Sequence, residues 1–150
     1  MGAYYANGYT GALTSSYQTG LAIHAGTGVR PRVFQIGFSS TTSADKALEW
    51  LIQRLSADGT GTSVTPKPFD PADPAGEVTA KRTYSGEPTY TSGETPIDLG
   101  GHQKSQVIWN AYDEQAKIII PATSGAGLGM QFKSGDSATP VVKAHMSWQE

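Results

Sequence analysis

No cysteine occurs in the 150 residues. Disulfide staples, thiolate metal sites and cysteine nucleophiles are excluded together, while the redox compartment stays open. Charge is scarce: Asp, Glu, Lys and Arg make up 16% of the chain, and 11 basic against 13 acidic side chains leave a net charge of −2. No window is rich in Lys and Arg, so there is no electrostatic footprint for nucleic acid. Long apolar runs are missing too, and none approaches the roughly 18 residues of a membrane span. The opening MGAYYANGYTGALTSS has neither the positive region nor the apolar core of a secretory signal, and Ala6 stands where a myristoylation motif needs Ser or Thr. These absences predict a soluble protein, or a soluble part of an assembly, with no nucleic-acid and no membrane partner.

Turn residues and aromatics are plentiful: 18 glycines, 9 prolines, seven tyrosines and three tryptophans. The aromatics argue against disorder, and low charge with many turn residues suits an all-β domain of short strands. Residues 1–16 lack a period and read as an extended N-terminal arm, with 17–150 a single β-sandwich domain. Tyr4, Tyr5, Tyr9 and Tyr17 are its candidate interface anchors, because aromatic rings are costly to leave in water. Leu21 and Ile23 alternate with small or polar residues as in a strand. In RVFQIGFS, Val33 faces opposite to Phe34, Ile36 and Phe38, which is period two. ADKALEWLIQRLS is ambiguous. Ala47, Leu48, Leu51, Ile52 and Leu55 fall at helical spacing, with Ser43 a possible N-cap, while Leu48, Trp50 and Ile52 alternate. Propensity favours a helix; the flanking strands favour a strand, and that is the reading taken. Its second face then needs an inter-sheet or subunit contact, so Trp50 and Leu51 join the candidate interface. KSQVIWNA, AKIIIPA, GLGMQFK and PVVKAHMSW follow at intervals of about ten residues, the pattern of a sandwich, jelly roll or barrel.

SVTPKPFDPADPAG, residues 63–76, holds four prolines between Pro66 and Pro74. As a linker it would leave an N-terminal part with too few apolar segments for a core. As a catalytic loop, Asp70 and Asp73 would need further carboxylates converging in space, and aspartate beside proline is ordinary turn chemistry. Proline fixes its own φ and restricts the preceding residue, so the stretch reads as a stiff crossover along the sandwich, with Phe69 anchoring it to the core.

Little else carries chemistry. His24, His102 and His145 lack metal-ligand spacing, and no serine sits in a GxSxG context. GAGLGM at 125–130 is spaced G-x-G-x-G, with no helix following as a dinucleotide fingerprint requires; a close turn entering a strand is the alternative, since glycine tolerates φ > 0. Trp109 and Trp148 end predicted strands and read as packing residues rather than a sugar platform. No catalytic, metal-binding or cofactor-binding residue is assigned, and the chain reads as a non-enzyme.

The ordered segments FQIGFSSTTSADKALEWLIQRLSADGTGTSVTPKPFDPADPAGEVTA, TPIDLGGHQKSQVIWNA, AKIIIPATSGAGLGMQF and VVKAHMSWQE resemble a group of small structural proteins of tailed bacteriophages. Jelly-roll members of that group include capsid cement, or decoration, proteins. The resemblance spans residues 17–150, and its more specific parts are the T-P-x-P-x-D-P-x-D-P loop and the IIIPATSGAGLGMQF block. It implies a jelly-roll-like antiparallel β-sandwich in which ALEWLIQRLS is a strand. It further implies a protein that sits on the outer capsid surface of the virion and bridges major capsid protein subunits, with no catalytic residue to carry over. The apolar second face of ALEWLIQRL, the tyrosines of the arm and the local two- and three-fold axes of a shell then point to a homo-oligomer, trimer favoured over dimer, and a cysteine-free, weakly charged sandwich needs no cofactor. The alternative is a phage head-fibre or tail component, or a carbohydrate-binding β-sandwich module.

Overall fold

The computed structural model describes residues 1–41, 46–136 and 139–150. Ser43 lies outside them. Among the described residues there is no helix, and thirteen strands follow in order. They are β1 (Ala3–Tyr9), β2 (Gln18–His24), β3 (Arg32–Ser40), β4 (Ala47–Ala57), β5 (Thr60–Val64), β6 (Lys67–Pro68) and β7 (Thr79–Gly86). β8 (Thr89–Tyr90), β9 (Ile97–His102), β10 (Gln106–Asn110), β11 (Ile118–Ile119), β12 (Gly127–Ser134) and β13 (Val142–Gln149) complete them. One sheet runs β10-β3-β13-β1-β6, with β11 also on β3. The second runs β5-β7-β2-β12-β4-β8, with β9 also on β4. From β1 to β4 the chain changes sheet at every step, and the last strand, β13, inserts between β1 and β3. With β6, β8 and β11 and the inserted β5–β7 pair set aside, β10-β3-β13-β1 faces β2-β12-β4-β9, which is the strand order of a jelly roll. All pairs are antiparallel, and the chain is an all-β, two-sheet sandwich.

Alternation builds the core. Tyr4, Ala6, Ile36, Phe38, Ala144, Met146 and Trp148 point inward from the first sheet, and Leu21, Ile23, Leu48, Trp50, Ile52, Leu128, Met130 and Phe132 from the second. The Phe38 ring packs across the interior on Trp50 at 4.8 Å and on Phe132 at 5.1 Å. Each such side chain contributes roughly 1.5–3 kcal/mol by leaving water. Trp148 is fully buried and Trp109 packs against the same core.

The structure corrects three expectations. Residues 1–16 are not a separate arm: β1 pairs along its length with β13, Tyr4 is 3% exposed, and Leu13 is buried. Glycine and tyrosine obscured an alternation whose inward members are Tyr4, Ala6 and the side-chainless Gly8. Within β3, the register skips a residue opposite Ser147 and Trp148, so Gln35 and Val33 pair while Phe34 does not. That bulge turns Val33 onto the same inner face as Ile36 and Phe38. Phe69, expected to pin the crossover to the core, is 54% exposed.

The proline stretch is held by its backbone instead. Thr65 and Pro66 carry the chain from the second sheet to the first, where Lys67 and Pro68 pair with Tyr5 and Tyr4. Pro68 lacks an N–H and so sits on an edge strand, where none is needed. The Phe69 N–H donates to Ala3 O (2.8 Å), and the Tyr4 hydroxyl donates to Pro74 O (3.1 Å). Asp70 closes a turn by accepting the Ala72 N–H at 2.9 Å on its side chain and the Asp73 N–H at 3.0 Å on its carbonyl. Glu150 accepts the N–H groups of Glu77 and Val78, both at 3.1 Å, securing the far end.

β4 is a strand, and its second face is covered from within the chain. Leu55 is 4% exposed and pairs with Tyr90 of β8, and Leu51 is half-buried between Asp98 of β9 and Gln131 of β12. The helical spacing of its leucines reflects this double coverage.

Candidate functional site

Period two places on the outer face of the first sheet every residue that alternates with the core. The registers align these residues in three rows across β1, β13, β3 and β10. Tyr5, Ser147, Gln35 and Asn110 form one row; Asn7, His145, Gly37 and Ile108 the next; Tyr9, Lys143, Ser39 and Gln106 the third. Gly37 has no side chain at the centre of the middle row, and a groove of about 460 Å³ opens there. Ile108, 57% exposed, and His145 flank it, and Arg82 of β7 reaches in at the Tyr9 end.

Neighbours hold these side chains in place. The half-buried His145 ring stacks on Tyr5 at 6.1 Å, and burial holds its pKa below the ordinary 6.5. In the neutral ring, Nδ1–H donates to Asn7 Oδ1 at 2.8 Å while Nε2 accepts from the Ser147 hydroxyl at 2.7 Å. Gln35 donates to Asn110 Oδ1 at 2.8 Å. Tyr5 also packs on Phe69, ring centres 5.0 Å apart, which extends the aromatic end of the face onto the crossover.

Arg82 arrives by an unusual route. Thr83, next to it, has φ of 49°, a left-handed backbone that is strained for a β-branched residue. The β5–β7 register shifts at the same place, and the Thr83 hydroxyl donates to Tyr9 O at 3.2 Å. Gly8 makes the approach possible, because a Cβ there would stand 2.3 Å from Gly20 O and 3.2 Å from the Arg82 Cβ. The guanidinium then lies 4.5 Å over the Tyr9 ring, a favourable cation–π distance. Its Nε is buried without a hydrogen-bond partner.

The outer face of the second sheet is partly covered. Residues 84–91 fold over it: Tyr90 lies on Gly129, and Thr19 bonds both the Tyr90 hydroxyl (2.6 Å) and the Glu87 carboxylate. Burial raises the pKa of Tyr84 and Tyr90, which stay neutral. His24 Nε2 lies 3.1 Å from Asp58 Oδ1 without aligning as a hydrogen bond, and Lys81 pairs with the other oxygen of Asp58. The glycines of GAGLGM thus have a packing reason. A Cβ would meet Ile23 O at 2.4 Å from Gly127, and the Tyr90 hydroxyl at 2.4 Å from Gly129; only Gly125, at φ 85°, needs the left-handed conformation. Among the described residues no group of three His, Asp or Glu is placed to hold a metal ion.

The candidate residues scatter over both sheets. Tyr5, Tyr9 and Phe69 share the open face. Tyr4 and Trp50 (2% exposed) are core, as hydrophobic content alone would have allowed. Tyr17 lies half-buried elsewhere, its hydroxyl donating to Glu49 at 3.3 Å and the Lys133 ammonium 4.8 Å over its ring. Sequence reasoning missed Asn7, Gln35, Gly37, Arg82, Ile108, Lys143 and His145. The polar phase of RVFQIGFS and VVKAHMSW already marked four of them as outward. No family model, curated protein or solved structure matches this chain.

Proposed function

We propose that this protein is a structural component of a bacteriophage virion that decorates the outer capsid surface and bridges major capsid protein subunits. The observation that carries the reading is the contact between the half-buried Tyr5 of β1 and the exposed Phe69, two aromatic rings at one end of the open sheet face, the second held on a proline-stiffened backbone. Rigid aromatic anchors are what interface centres favour. The resemblance of residues 17–150 to decoration proteins and the jelly-roll strand order support the same reading. With residues 3–9 built into the sheet, shell contacts fall to this face and its loops. A homo-oligomer suits local symmetry axes of a shell, a trimer more than a dimer, and several weak contacts acting together raise occupancy through effective concentration.

Co-sedimentation with assembled shells tests the proposal. The wild type should pellet with them and raise their resistance to heat, while Tyr5→Ser/Phe69→Ser should keep its β circular dichroism and lose tenfold or more in binding. A wild-type protein that ignores shells and stays monomeric in sedimentation equilibrium overturns it. The groove over Gly37 favours a second reading, a saccharide-binding module, for which a glycan array is the direct test.

A further inference from the structure

We infer that the groove over Gly37 is a binding site for a carboxylate-bearing saccharide, of the uronic- or sialic-acid type. Glycine is unfavourable inside a strand and often marks a place where a ligand comes close. The glycines at 8, 20, 127 and 129 are accounted for within the chain, since an added Cβ would stand 3.0 Å or less from a neighbouring atom. Gly37 differs. A Cβ there would meet nothing nearer than Val107 O at 3.6 Å, and its φ is not left-handed, so the fold itself has room for a side chain. The free space belongs to the groove.

The chemistry of the walls identifies the occupant. Arg82 and Lys143 stand on either side of Tyr9, and among the described residues lining the groove there is no carboxylate. Neither cation has an ion-pair partner among the described residues. Two unpaired cations lining one groove select an anion, and the strained Thr83 backbone beside Arg82 is the kind of outlier that a binding role explains. The rest of the lining is Asn7, Gln35, Gln106 and Ser39, whose amides and hydroxyl match sugar hydroxyls, while Ile108 and the bare Gly37 floor offer an apolar platform for a ring face. A volume of about 460 Å³ is within the range of small-molecule sites. An acidic peptide fits less well. The centre of a sheet face presents no backbone groups to pair a peptide main chain, which normally docks on a sheet edge.

The site lies beyond the decoration role and is tested on the isolated full-length protein with no shells present, so either proposal can fail alone. Trigalacturonate, 3′-sialyllactose, their neutral counterparts trigalactose and lactose, and a hexaglutamate peptide are titrated by calorimetry and by NMR chemical-shift mapping. At least one acidic sugar should bind, tenfold or more tighter than its neutral counterpart, and shift the amides of residues 35–39 and 143–145. Gly37→Val should fill the groove and abolish binding at an unchanged melting temperature. Should that variant not fold, Arg82→Gln and Lys143→Gln should each lower affinity tenfold. Binding of neutral and acidic sugars alike, undiminished binding by the folded variants, binding of hexaglutamate alone, or no binding to any probe each overturns the assignment.

Discussion

Phe69 and Phe132 differ in what surrounds them rather than in chemistry. Phe132 is enclosed by core residues, so its replacement by Ala leaves a cavity and should cost roughly 3–5 kcal/mol. The Phe69 ring touches Tyr5 and otherwise faces water, so Phe69→Ala should cost less than about 1 kcal/mol. Urea unfolding of the two variants checks the contrast, and equal losses would contradict the placement of Phe69. Glycines divide the same way. Gly127→Ala forces a methyl against the Ile23 carbonyl and should destabilise by roughly 1–3 kcal/mol, whereas Gly37→Ala should stay within about 0.5 kcal/mol of wild type. A Gly127→Ala variant as stable as wild type would refute the close approach of β2 and β12.

At the level of elements, β1 and the proline crossover support one another. β1 is covered by β13 on one edge and by β6 on the other, and its Tyr4 hydroxyl fastens Pro74. Deleting residues 1–16 therefore exposes an edge of β13 and removes Tyr4, Ala6 and Leu13 from the core. The truncated chain should lose its cooperative melting transition; a truncation that melts like the full chain would show that β1 is dispensable. In native limited proteolysis, residues 63–76 should resist cleavage, because proline and backbone hydrogen bonds hold them extended. Fast cutting there would contradict the ordered crossover.

For the whole molecule, pH acts through buried histidine. Burial lowers the His24 pKa below the ordinary 6.5, Asp58 raising it and Lys81 lowering it by smaller amounts. Below pH 6.5 the unfolded chain therefore takes up a proton that the folded chain refuses. The stability tied to neutral His24 is fully present above that pH and is lost as pH falls through and below it. His145, also lowered by burial, adds to the same slope. Melting temperature should drop between pH 7.5 and 5.5, and His24→Gln should flatten part of that drop. An identical pH dependence in the variant would exclude His24 as a source.

The sequence by itself determined that this is an all-β chain and where most strands run, because alternation of apolar and polar residues is a local property that survives without knowledge of neighbours. Alternation also leaves Gln35, Gly37, Lys143 and His145 in the phase opposite to the core positions, and it gives Trp148 as a packing residue without saying against what. Tertiary structure decided what faces each strand. Leu55 is covered because Tyr90 crosses it, Val33 is inside because the bulge at Phe34 resets the phase, and Tyr4 is core because β13 returns from the far end of the chain to pair with β1. The groove belongs to this second kind. Its cations come from β7 and β13, in different sheets, and it exists only where the jelly-roll crossing brings Arg82 past Gly8 onto the ring of Tyr9.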